Sequence, residues 1–366
     1  MESRKMEFGI QLWPWYDLPT LVGVARSAVE AFPFDQIWMC DEFQYEDTLT
    51  TLAAMAQSLD VSLGTMVTFP WRNPLDLAQR FASVAKLPPK GRHVAAGIGA
   101  GGAVQELVMS ERTSPMKVLE ETVSLLRSLL GGEAAALSDY PKLSARFRYN
   151  DKTKARLYFP PDRPVPVVLG AGGPRTCRMA GRLADGVILT QIHARTSATA
   201  MRHGLLDAAV EGVEEGRKGS RVQSFKRIYN LHFSVSADGR RARDWAKRNT
   251  SYGVATFLPM YPDLLKQVGV DAGEAARVRE AFIQGLGVEE AARRVSDAML
   301  ERAGYIIAGT PEDCLKRMES VVPFLKKHRF DHLVIGVPLG PDLSEAVPLI
   351  AREILPALKK MMEPAA

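Results

Sequence analysis

Short apolar runs alternate with helix-period patterns along most of the chain. The runs are Phe8–Leu12, Gln36–Cys40, Val61–Thr68, His93–Ile98, Val165–Leu169, Gly186–Thr190, Ile228–Val235 and His332–Val337. They lack the strict in-out alternation of a half-exposed sheet and suit strands covered on both faces. Between them, sets such as Leu21, Ala25 and Ala28, or Leu77, Ala78, Phe81 and Val84, recur at helical spacing. Parallel-type strands separated by helices, eight of them by this reading, predict an α/β fold, a (β/α)8 TIM barrel. Pattern alone leaves a doubly wound open sheet as an alternative.

Two spacings are too long for simple connections. They fall at about 103–162, after the fourth strand, and about 237–327, after the seventh, and read as insertions in a single domain spanning 1–366. Ser114-Pro115 and Thr310-Pro311-Glu312-Asp313 are helix starts, each with a hydroxyl cap followed by proline at the first helical position.

The stretch Val61–Pro74, VSLGTMVTFPWRNP, reads strand, kinked loop, helix. Its β-branched first half stops at Phe69-Pro70 and Asn73-Pro74, where proline neither donates to a ladder nor lets the preceding residue turn helical. Loops beyond the carboxyl ends of α/β strands are where ligands bind.

With 366 residues, 46% of them apolar, the chain can bury one large core, and no run approaches the roughly 20 apolar residues that cross a bilayer. The start, MESRKMEFGIQLW, lacks the apolar core of a signal peptide, so the expected location is cytoplasmic. The net charge of +5 is spread without a basic block, which argues against nucleic acid as a partner. The three cysteines, Cys40, Cys177 and Cys314, are widely spaced and read as buried free thiols. Six scattered histidines give no metal-site spacing.

Gly97–Gly102, GIGAGG, satisfies G-x-G-x-x-G, but three strand-helix units precede it, whereas a Rossmann fingerprint belongs to the first. What remains is that Gly99, Ala100 and Gly101 let a ligand approach the backbone closely. Leu169–Arg175, LGAGGPR, is the better anion site: a strand, then Gly170, Ala171, Gly172 and Gly173, then Pro174 opening a helix whose free N–H groups and dipole favour phosphate. Arg175 and Arg178 could add charge. Asp41-Glu42 ends the second strand, where a barrel presents catalytic carboxylates, and a solvated loop is the rival reading. Trp13 and Trp15 follow the first strand and could wall a substrate pocket or pack the rim.

Together, FDQIWMCDEF, LGTMVTFPWRNPLDLAQRFASVAKL, GIGAGG, PVPVVLGAGGPRTCRMAGRLADGVIL, AGTPEDC and VPLGPD resemble the bacterial-luciferase-like superfamily of flavin and deazaflavin barrels. Within it they are most similar to the methylene-tetrahydromethanopterin reductase branch, which uses coenzyme F-420, an 8-hydroxy-5-deazaflavin. The resemblance implies a (β/α)8 barrel, a homodimer, and hydride transfer between C5 of the deazaflavin and a small organic substrate. It implies a non-prolyl cis peptide at Met66–Val67 behind the ring, with Thr68 beside it, a cofactor contact from Asp41, and the cofactor's phosphate at Gly170, Ala171 and Gly172. Many relatives carry histidine after that aspartate. Here it is Glu42, which becomes the candidate for proton exchange. A reduced-FMN monooxygenase and a non-catalytic flavin-binding barrel are the alternatives on the same fold.

Overall fold

Strand pairing closes the sheet. The computed structural model describes residues 6–42, 45–69, 71–100 and 115–363. Its barrel strands are β1 (Glu7–Leu12), β2 (Gln36–Met39), β3 (Ser62–Thr65), β4 (Val94–Ile98), β5 (Val167–Ala171), β6 (Gly186–Thr190), β7 (Lys226–Val235) and β8 (His332–Leu339). Each pairs in parallel with its neighbour, and the ring shuts through β6 on β7, from Gly186 opposite Lys226 to Thr190 opposite Asn230, and through β8 on β1. That closure decides for the barrel and against the open sheet. A short strand, Ile307–Gly309, pairs with β7 outside the ring.

Most strands fall where the apolar runs place them, and two differ for local reasons. The fifth begins at Val167 rather than Val165, because Pro166 has no N–H to donate to the ladder. The third stops at Thr65 instead of running to Thr68: the register shifts by one residue between Gly64 opposite Ala95 and Thr68 opposite Ile98, and the Met66–Val67 peptide between them is cis.

Helix starts are set by side-chain caps. Asp17 accepts from Thr20 N at 2.8 Å, Asp47 from Thr50 N at 2.9 Å and Asn73 from Leu75 N at 2.9 Å, and Thr310 forms a capping box with Asp313. Helix Pro174–Leu183 begins at Gly173 with no side-chain cap. The segment after β4 contributes helix Pro115–Leu130 and a small antiparallel ribbon, Ala135–Ala136 with Lys154–Ala155. It is tied to the barrel where the Tyr149 hydroxyl donates to Asn73 Oδ1.

The barrel interior is layered. Low in it lies an apolar cluster that includes Trp38, Ala95, Val168, Ile188, Ile228 and Val334. Trp38 is 1% exposed and occupies room left by glycine, since a Cβ on Gly64 would come within 2.6 Å of its ring. The amino-terminal end is closed by Glu7, which bonds His332 Nδ1 at 3.0 Å and Lys226 Nζ at 2.6 Å. Burial opposes the Glu7 charge, but these two partners outweigh it and hold the carboxyl at about 2.

Candidate active site

At the carboxyl ends of the strands a cavity of about 570 Å³ opens above the apolar layers. Its floor is polar. Gln11 Nε2 donates to Cys40 Sγ at 2.9 Å and to the Met66 carbonyl at 3.1 Å, and Asn230 Nδ2 donates to Gln11 Oε1 at 2.7 Å. His232 Nδ1 bonds the Val337 carbonyl at 2.7 Å, and its Nε2 faces Thr190 Oγ1 at 2.9 Å. Burial pushes this imidazole down to about 4, so it is neutral at neutral pH. Burial likewise raises the Cys40 thiol, with Glu42 adding to the shift.

One wall is the Met66–Val67 turn. The Val67 side chain lies across the backbones of β4 and β5: a Cβ on Gly170 would stand 3.0 Å from Val67 Cγ1, and one on Gly99 would overlap Val67 Cγ2. Gly97 admits no Cβ either, because the Thr65 carbonyl occupies that place. The alternating glycines of GIGAGG therefore have a packing cause at Gly97 and Gly99, the close passage of β3 and the chain beyond it. Ala100 lines the cavity, and Gly101 lies outside the described residues.

Asp41 stands at the corner where β2 and β3 end. Arg72 grips it from two nitrogens, each at 2.8 Å, the Thr68 hydroxyl donates to the same carboxylate, and Arg72 Nη2 continues to Asp47 at 2.9 Å. The arginine also lies 4.7 Å over the Trp71 ring. Asp41 lines the cavity yet spends most of its acceptor capacity on fastening two loops together. Thr68, expected at the cofactor, is fully buried behind that wall. Glu42 is half-buried in the cavity wall and next to Asp41.

The opposite side is the glycine loop, Gly170 to Gly173, followed by the uncapped helix Pro174–Leu183. A Cβ on Gly172 would run into the His193 ring, which rests 4.6 Å from Phe257 and 6.0 Å from Tyr261. His193 Nδ1 accepts from Arg195 N at 3.1 Å, and burial together with the Arg195 charge lowers this ring to about 3. Arg195 lies 5.1 Å over Tyr261, beside Gly173, and its buried Nε has no hydrogen-bond partner among the described residues. Arg175 lines the cavity, whereas Arg178 is turned to Glu215 on the surface and adds nothing to the site.

An aromatic roof completes it. Tyr252, on helix Gly239–Met260, lies 5.6 Å from Trp13, and Trp13 lies 5.1 Å from Trp15. Of the two tryptophans expected to wall the pocket, Trp13 does so. Trp15 backs it and packs on Trp245 at 6.4 Å. Burial, with Tyr45 and Glu42 nearby, raises the Tyr252 hydroxyl far above its ordinary value.

Sequence reasoning missed Gln11, Thr190, Asn230 and His232. Asn230 and His232 stand two apart between Ile228 and Phe233, among largely apolar neighbours, which puts both on one face, and that period was the available signal. His193, Arg195 and Tyr252 come from a loop and a helix whose approach to the mouth has no local signature.

The sequence and the fold match known proteins. The family model for luciferase-like monooxygenases matches residues 16–324, and the chain belongs to that family. It is 27% identical over 365 residues to a 5,10-methylenetetrahydromethanopterin reductase of Archaeoglobus fulgidus, covering 97% of this chain and all of the relative. It is 28% identical over 360 residues to an F-420-dependent glucose-6-phosphate dehydrogenase of Nakamurella multipartita, covering 94% of each. Among solved structures, the coenzyme F-420-dependent tetrahydromethanopterin reductase of Methanopyrus kandleri superposes with a TM-score of 0.72 at 22% identity, over 96% of this chain and 99% of that one. No helix among the described residues is long and apolar enough to cross a membrane.

Proposed function

We propose that this chain is a coenzyme F-420-dependent oxidoreductase acting on a small organic molecule held at the carboxyl-end mouth of the barrel. One observation carries the reading: a single cavity joins the Val67 wall to a glycine loop with an uncapped helix start and a buried Arg195 Nε that has no hydrogen-bond partner among the described residues. The residues fit the group. Val67 supplies an apolar surface for one face of a flat ring, while the free N–H groups after Gly172, with Arg175 and Arg195, suit a phosphate-bearing tail. The relative named for its use of F-420 and matched over 94% of each chain supports the cofactor.

When bound, the deazaflavin supplies a two-electron carrier that accepts or gives hydride at C5. The chain's own residues do the rest. Asp41, pinned by Arg72 and Thr68, keeps the loops after β2 and β3 in place at the cavity wall, where they would flank the ring. Glu42, half-buried in the cavity wall, would exchange a proton with the substrate. Trp13 and Tyr252 exclude water above it.

Titration of the purified protein with F-420, read by cofactor fluorescence, tests the reading. Quenching with micromolar or tighter affinity is expected. No response to F-420, with tight binding of reduced FMN and oxygen uptake, would support the monooxygenase reading instead.

A further inference from the structure

The floor of the cavity is a hydrogen-bond chain whose polarity is fixed from both ends. At one end Gln11 faces the Met66 carbonyl. A carbonyl oxygen only accepts, so the amide turns its nitrogen there and its Oε1 toward Asn230, which must then donate. At the other end His232 Nδ1 faces the Val337 carbonyl, and only an N–H fits that contact. The ring is neutral and has one proton, so Nε2 is a bare acceptor. Thr190 Oγ1 stands 2.9 Å from Nε2, and two facing lone pairs would repel, so the hydroxyl proton points at the histidine. Asn230 Nδ2 lies farther from Nε2, at 3.2 Å, so the single in-plane lone pair of that nitrogen goes to the closer Thr190 hydroxyl. Thr190 is half-buried in the cavity wall and shows the cavity oxygen lone pairs alone.

We propose that Thr190 is a specificity-determining residue that accepts a hydrogen bond from an O–H or N–H on the substrate, and that His232 is the positioning residue that holds Thr190 in the accepting state. The inference rests on the cavity being the deazaflavin redox site proposed above. A bound molecule with only a carbonyl at this point meets lone pairs and loses its own hydration without replacement, whereas an alcohol or an unsubstituted amide finds a partner. Turning the Thr190 proton toward the cavity would need a donor at His232 Nε2, and the Val337 contact fixes the proton on the other nitrogen.

The test uses the F-420-loaded protein and matched probes differing only in the donor: cyclohexanol against cyclohexanone, and pyrrolidinone against N-methylpyrrolidinone, titrated by deazaflavin fluorescence. The donor-bearing member of a pair is expected to bind roughly tenfold more tightly. That preference should vanish in Thr190→Val, persist in Thr190→Ser, collapse in His232→Asn, which keeps a donor for Val337 but loses the Nε2 acceptor, and be rescued in His232→Gln, whose carbonyl can take its place. Equal binding within both pairs, or a preference that survives Thr190→Val, overturns the proposal. Imidazole nitrogen NMR provides an arm free of cofactor: the proposal requires the proton on Nδ1, and a proton on Nε2 overturns it. Absence of any F-420 signal before the probes are added overturns the cofactor reading, and the NMR arm keeps that failure distinct from failure of the His232 assignment.

Discussion

Val67 fills the space that a side chain at Gly99 would need. The turn after β3 and the end of β4 are thus fitted to each other, and the cavity wall depends on both. Gly99→Ala has to move Val67 or the β4 backbone. A stability loss of about 1–3 kcal/mol is expected in urea unfolding, with F-420 affinity falling alongside it. Unchanged stability together with unchanged affinity would show that the wall has slack that the packing denies.

Arg72 and Asp41 form a pair whose side chains are 12% and 2% exposed. Removing the arginine leaves a buried carboxylate without its counter-charge, so Arg72→Met should cost about 3–5 kcal/mol. Adding Asp41→Asn should recover part of that loss. A double-mutant cycle in urea checks it, and strictly additive losses would mean that the two side chains are not coupled.

Among the described residues, the buried Arg195 Nε beside the glycine loop has no acceptor. If the cofactor's phosphate is that acceptor, Arg195→Met should forfeit a charge-assisted hydrogen bond of about 1.5–3 kcal/mol, roughly a ten- to hundredfold loss in F-420 affinity. A deazaflavin riboside without the phosphate should bind wild type and variant alike. Equal weakening of both ligands would place the arginine at the ring instead.

His232 is held neutral down to about 4 in the fold, against an ordinary value of 6.5. Between those limits the unfolded chain takes up a proton that the folded chain refuses. Stability therefore falls as pH drops through that window, by about 1.4 kcal/mol per pH unit for the group, and this contribution is gone below about 4. In His232→Gln the slope of unfolding free energy against pH, between 6.5 and 4, should be shallower by about one proton. Superimposable slopes would contradict the burial of a neutral ring.

The barrel was legible because its strands are covered on both faces and so leave continuous apolar runs, as at Gly186–Thr190. The glycine loop and Asp41-Glu42 were legible because they follow such runs directly. Gly97 and Gly99 were visible as glycines but not for their reason, since the Thr65 carbonyl and Val67 meet them only once β3 and β4 are side by side. Arg195 and Tyr252 were hidden because a loop and a long helix deliver them from far along the chain. Thr68, the cofactor contact that the resemblance implies, donates its buried hydroxyl to Asp41, a partnership that no spacing encodes.

The most direct measurement is a crystal structure of the protein with F-420 bound. The ring face is expected against Val67 and the phosphate on the N–H groups following Gly172, within hydrogen-bond reach of Arg195. A ring bound elsewhere, or a phosphate turned away from that loop, would contradict it.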